Sequence, residues 1–82
     1  MNEIRVEILY FARLREEAGL AVESVETACG TAGELYAELR SLHGLSLAAE
    51  NLGVAINDRF ASFDSPLAAG DRVAFIPPVC GG

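Results

Sequence analysis

Thr31-Ala-Gly-Glu-Leu-Tyr-Ala-Glu-Leu-Arg-Ser-Leu-His-Gly44 is the stretch on which the fold turns. Thr31 and Glu34 have the spacing of a capping box, in which the threonine oxygen accepts from the third helical amide and the glutamate reaches back. A helix therefore starts near Ala32. Leu35, Leu39 and Leu42 give it an apolar stripe, Glu34 and Glu38 suit the positive N-terminal end, and Arg40 and His43 suit the other. Gly44 is a natural stop. About twelve residues of helix span roughly 18 Å, enough to cross one face of a small sheet.

Upstream, residues 4–10 alternate with a period of two. Ile4, Val6, Ile8 and Tyr10 fall on one face, and Arg5, Glu7 and Leu9 on the other, which predicts a strand. Phe11, Leu14 and Ala18 then recur at helical spacing before Gly19, so a short helical turn follows. Residues 20–27 read as a weaker strand through Leu20, Val22 and Val25. Downstream, 45–52 is a loose segment. Residues 53–63 hold two short apolar alternations around Asn57-Asp58-Arg59 and predict a hairpin. Ser65-Pro66 and Ala69-Gly70-Asp71 are turn chemistry, and Arg72 to Ile76 is a last strand with Val73 and Phe75 on one face. Five strands sharing one long helix make an α+β layer arrangement, a mixed five-stranded sheet covered on one face by a helix. That order matches the β-grasp, or ubiquitin-like, fold over residues 1–76. Such folds host many functions, so function has to be argued from a site.

Eighty-two residues allow one small core, and 51% hydrophobic residues are too many for a disordered segment. A net charge of −6 repels phosphate backbones and anionic lipids, so neither nucleic acid nor membrane is an expected partner. Cys29 and Cys80 form neither a disulfide framework nor a C-x-x-C pair. The N-terminus lacks the basic start and cleavage site of a signal peptide, and no apolar run approaches the roughly 20 residues of a membrane span. A reducing cytoplasm is the expected location.

The site expected from these residues is the end of the chain. Pro77 and Pro78 remove amide donors and stop the strand, so residues 77–82 are expected to project about 20 Å as a tail ending in Gly81 and Gly82. Glycine at both positions leaves a backbone thin enough for a narrow channel and permissive enough for whatever conformation a partner demands. The reactive group is then the terminal carboxylate, which is a poor acyl donor until another enzyme activates it. The chain has no phosphate-binding motif of its own. On the solvent side of the sheet, continuing the alternations turns Phe11 and Ile76 outward, and either two-residue turn of the hairpin does the same for Phe60. Three large apolar residues beside a displayed tail predict a partner surface. The bland alternative folds Phe11 back onto the core.

The runs Phe11-Ala-Arg-Leu-Arg-Glu16, Ser62-Phe-Asp-Ser-Pro-Leu67, Gly70-Asp-Arg-Val-Ala-Phe75 and Pro77-Pro-Val-Cys-Gly-Gly82 resemble the MoaD-type small subunit of molybdopterin synthase, in the wider sulfur-carrier family. The resemblance covers the whole chain. It implies that Gly82, presented with Gly81, is adenylated from ATP by a ubiquitin-activating-type enzyme and converted to a thiocarboxylate with sulfur from a sulfurtransferase. The tail would then insert into the large subunit and donate sulfur to a cyclic pterin precursor, building the dithiolene of molybdopterin for the molybdenum cofactor. It further implies no permanently bound cofactor or metal, no turnover by the chain alone, and a heterotetramer of two small and two large subunits. Phe11, Phe60, Ile76, Pro77, Pro78, Val79 and Cys80 would contact the partner. Ile76 stands where the family often has an aromatic residue.

Three alternatives stay open: a carrier for another acceptor, such as thiazole, cysteine or transfer RNA; a ubiquitin-like protein modifier; or an interaction module with an inert tail. Cys80 reads most simply as a tolerated small residue, Cys29 as a buried or loop cysteine, and His43 as a helix-end residue complementing the dipole. The chain has six arginines and no lysine. Compositional bias accounts for this most simply. A second reading is that arginine keeps positive charge without offering an amine to an activated tail.

Overall fold

The computed structural model describes residues 3–78, so the expectations placed on Val79, Cys80, Gly81 and Gly82 lie outside the described residues. The elements are β1 (Ile4–Tyr10), α1 (Ala12–Ala18), β2 (Val22–Thr27), α2 (Ala32–His43), a 3-10 turn (Ala49–Asn51), β3 (Gly53–Ile56), β4 (Arg59–Ala61) and β5 (Arg72–Ile76). The strands form one sheet in the order β2-β1-β5-β3-β4, with β1 and β5 parallel and the other pairs antiparallel. This is the β-grasp arrangement: a mixed sheet with α2 packed on one face.

The helix forms where its caps say it should. Thr31 accepts from the Glu34 amide at 3.2 Å, and Gly44 closes the other end in the left-handed region at φ 67°. Glu34 reaches back one residue further than a capping box requires, accepting from the Gly30 amide at 2.8 Å. The core is the alternation of β1, β3 and β5 set against this helix. Val6, Ile8, Tyr10, Val54, Val73 and Phe75 point inward and meet Ala32, Leu35, Tyr36 and Leu39, all almost fully buried. Each large side chain buried there contributes about 2 kcal/mol from removal of apolar surface from water. Tyr36 and Phe75 pack with ring centroids 5.0 Å apart, and Phe63 stacks on Phe75 at 6.2 Å.

Two local expectations are corrected. Leu42 is 66% exposed because the buried face of α2 runs through Leu35, Tyr36 and Leu39, and Tyr36 takes the place assigned to Leu42. In β2 the inward residues are Glu23, Val25 and Thr27, while Val22 faces outward and Leu20 precedes the strand, half exposed. The pairing of Val6 with Val25 sets that register. It brings a carboxylate to the inner face, where the Glu23 Oε1 accepts from the Tyr10 hydroxyl at 2.8 Å and lies 2.8 Å from His43 Nε2. Burial, reinforced by this carboxylate, pushes the Tyr10 phenol above its ordinary range, so it stays protonated and donates. His43 thus ties the end of α2 to the edge strand.

Candidate functional site: the outer sheet face and the base of the tail

Helix α2 covers only one face of the sheet. The strand registers line up a row of outward residues across all five strands on the other: Val22, Leu9, Ala74, Ala55 and Phe60, each opposite the next. Phe60 is 88% exposed at the end of that row. It points outward because the hairpin turns on Asn57-Asp58, both at positive φ (54° and 71°), which pairs Phe60 with Ala55. One row further from the tail the outer face changes character. Ser24, Glu7 and Arg72 stand opposite one another there, with Arg72 Nε 3.9 Å from the Glu7 carboxylate.

On the tail side of the apolar row the face closes into a recess of about 510 Å³, lined by Phe11, Ala12, Arg13, Leu47, Ile76, Pro77 and Pro78. Phe11 is extended (φ −123°, ψ 147°) and 46% exposed, so it lines this recess rather than folding onto the core. The reason lies in the next residue. Ala12 adopts φ 51°, a left-handed conformation that costs a non-glycine residue about 1–2 kcal/mol. That reversal sends the chain into α1 with Leu14 buried beneath while Phe11 stays outside. Gly53 stands opposite Ile76 and contributes no side chain, which leaves that flank of Ile76 open.

A small polar network holds the rim. Arg13 Nε lies 3.3 Å from Glu17 Oε2, and the Glu17 carboxylate accepts from both the amide (2.9 Å) and the hydroxyl (2.5 Å) of Ser46, next to Leu47 in the recess wall. The Ser46 hydroxyl, then the Ser46 amide, hold the Glu17 carboxyl below the ordinary glutamate value, with Arg13 adding to the effect.

The recess therefore brings together Phe11, Ile76, Pro77 and Pro78. Phe60 is not part of it. It sits on β4, two strands from Ile76, and is joined to the recess only through the shallow row of Ala55 and Ala74. Sequence reasoning missed Arg13 and Leu47 in the wall and the two alanines that make the row continuous. The outward parity of Leu9 was the available signal for that row. A larger recess, about 640 Å³, runs along α2 past Gly33, Ala37, Arg40 and Ser41 on the helix side. It shares no lining residue with the smaller apolar recess, which is the one that contains Ile76, Pro77 and Pro78 at the end of β5.

A profile of the ThiS family matches residues 8–82. The molybdopterin synthase sulfur carrier subunit of Escherichia coli (strain K12) is 36% identical over 80 residues, covering 94% of this chain and 99% of that protein. Among solved structures, a complex of subunits 1 and 2 of the molybdopterin-converting factor from Helicobacter pylori 26695 contains a chain that superimposes with a TM-score of 0.64 at 30% identity, over 96% of this chain and 100% of that one. The small archaeal modifier protein 1 of H. volcanii superimposes with a TM-score of 0.77 at 28% identity, over 93% and 99%.

Proposed function

The chain belongs to the ThiS family, and from that premise we propose that it is the sulfur-carrier subunit of a molybdopterin synthase, acting through its C-terminal Gly82. The observation that carries the reading is the apolar recess of Phe11, Ile76, Pro77 and Pro78 at the root of a segment ending Gly81-Gly82, next to an apolar row on the sheet face opposite α2. In this reading the recess and row seat on a large subunit; that such a pair of subunits associates is supported by the Helicobacter pylori complex of subunits 1 and 2. The tail enters that partner's pterin site.

The chemistry follows from what a carboxylate lacks. Its leaving group is poor, so an adenylating enzyme of the ubiquitin-activating type joins the Gly82 carboxylate to the α-phosphate of ATP and releases pyrophosphate. The outer sulfur of a sulfurtransferase persulfide then displaces AMP to give an acyl disulfide, and a thiol cleaves its S–S bond, being oxidised to a disulfide as the thiocarboxylate is released. This chain binds and presents; the large subunit holds the cyclic pterin that takes the sulfur. Two donations make one dithiolene.

Intact mass after incubation with ATP, the adenylating enzyme and a sulfur source tests this. One oxygen replaced by sulfur at Gly82 is the expected product. Sulfur added to Cys80 as a persulfide, with the terminus unchanged, would sink the reading. The likeness to an archaeal modifier protein favours a second use of the same activated end, amide formation with other proteins. With the large subunit and cyclic pterin supplied, return of Gly82 to a plain carboxylate marks the carrier, and covalent adducts to protein lysines mark the modifier.

A further inference from the structure

Arg13 is the cationic side chain in the wall of the recess where the described chain ends at Pro78. Four more residues lead to the terminal carbonyl, a reach of at most about 14 Å. Arg13 therefore stands within range of whatever chemistry is done on Gly82. Its charge has a local purpose: it faces Glu17, which in turn holds Ser46 beside Leu47. A lysine would serve that purpose as well. What separates the two is reactivity, since a guanidinium stays protonated and is a poor nucleophile, whereas an ammonium gives up its proton to become a free amine. The same choice is made at all six cationic positions of the chain, which are arginines without exception.

We infer that Arg13 is a specificity-determining residue for the tail: it balances Glu17 at the rim of the recess without placing an amine where the activated Gly82 carbonyl can reach it, so that capture is left to the sulfur nucleophile. This rests on the reading that Gly82 is activated. The reaction avoided is simple aminolysis. The lysine nitrogen would form a C–N bond to the Gly82 carbonyl, the bond to AMP or to a thiol would break, and the nitrogen would lose its proton to solvent. The product is a closed loop one water lighter than the free chain. Tethering supplies the amine at an effective concentration of order millimolar, with no acceptor needed.

The test needs no adenylating enzyme. The full chain is prepared with a C-terminal thioester by thiol cleavage of an intein fusion, as wild type, Arg13→Lys and Arg5→Lys. Arg5 lies at the opposite end of β1, about 20 Å from Phe11 and beyond the reach of the tail. Both variants keep the charge of wild type, and matching thermal midpoints confirm the fold. The expected result is an internal amide mapped to position 13 in Arg13→Lys, formed about tenfold or more faster than any amide in Arg5→Lys. Wild type should only hydrolyse. Equal rates in the two variants, or no amide in either, overturns the inference. A parallel incubation of wild type with adenylating enzyme and ATP reads pyrophosphate release. Its absence overturns the functional reading, while the thioester result still reports on Arg13.

Discussion

The two faces of the sheet are made by the same five strands and end in opposite states. On the inner face, Val6, Ile8, Val54, Val73 and Phe75 are sealed beneath α2, and even the intruding carboxylate of Glu23 is matched by Tyr10 and His43. Among the described residues no buried side-chain polar atom lacks a partner. On the outer face, a row that alternation alone would make polar is instead Val22, Leu9, Ala74, Ala55 and Phe60, and among the described residues no helix covers it, so Val22 and Phe60 stand exposed at its two ends. A fold of this size can leave such surface bare because the inner face supplies its stability. The inner face serves folding, and the outer face is the one the proposed function gives to a partner.

The largest expected effect comes from breaking the inner face. Phe75 is fully buried between Tyr36 and Phe63. Phe75→Ala removes that contact and leaves a cavity, at a cost of about 3–5 kcal/mol. Domains of this length have roughly 4–12 kcal/mol in total, so denaturant titration should show a large loss of midpoint or outright unfolding. A loss under about 1 kcal/mol would mean that the sheet does not depend on α2 as described.

The same kind of change on the outer face should separate stability from association. Phe60→Asp places a carboxylate on an edge strand, where the residue it replaces is mostly in water. The unfolding midpoint should move by less than about 1 kcal/mol. Binding to the large subunit of the synthase, measured by calorimetry, should weaken about 30-fold or more, the size of an anchor residue of roughly 2 kcal/mol. A mutant that unfolds would place Phe60 in the fold, and one that binds normally would confine the interface to the recess.

How much of this was legible beforehand follows the same division. The inner face could be read because burial imposes a period: β1, α2 with its Thr31 and Gly44 caps, and β5 all stand where alternation and capping put them. Leu42 and Val22 misled because an apolar residue on a rim resembles one in the stripe, and only packing decides which is covered. Glu23 was unreadable, since nothing local announces that a strand carboxylate will meet a tyrosine and a histidine from elsewhere in the chain. The outward parities of Phe11, Phe60 and Ile76 could be read from strand alternation. Their division into a recess and a separate exposed phenylalanine could not, because it depends on Ala12 taking a positive φ and on Leu47 being brought to the wall through Ser46 and Glu17.

That last network gives the smallest effect and a sharper view of how the recess is held. Hydrogen bonds from Ser46, aided by Arg13, depress the Glu17 pKa in the folded state. A depressed carboxyl contributes stability that is fully present above its unfolded value, about 4.3, and is lost as pH falls through the lower folded value. Glu17→Gln keeps an oxygen that can accept from Ser46 and removes only the charge. Wild type should therefore be the more stable of the two at neutral pH, by a small margin, because the site lies at the surface and is screened by solvent. The margin should shrink as pH falls below the ordinary carboxylate range and shrink again with added salt. Hydrogen exchange at the Ser46 amide should follow the same course, because that amide donates to Glu17 and ties its segment to α1. A gap that is constant with pH would show that Glu17 acts through shape alone. A gap that widens on acidification would reverse the assigned sign and remove Arg13-Glu17-Ser46 as the device that sets the wall of the recess.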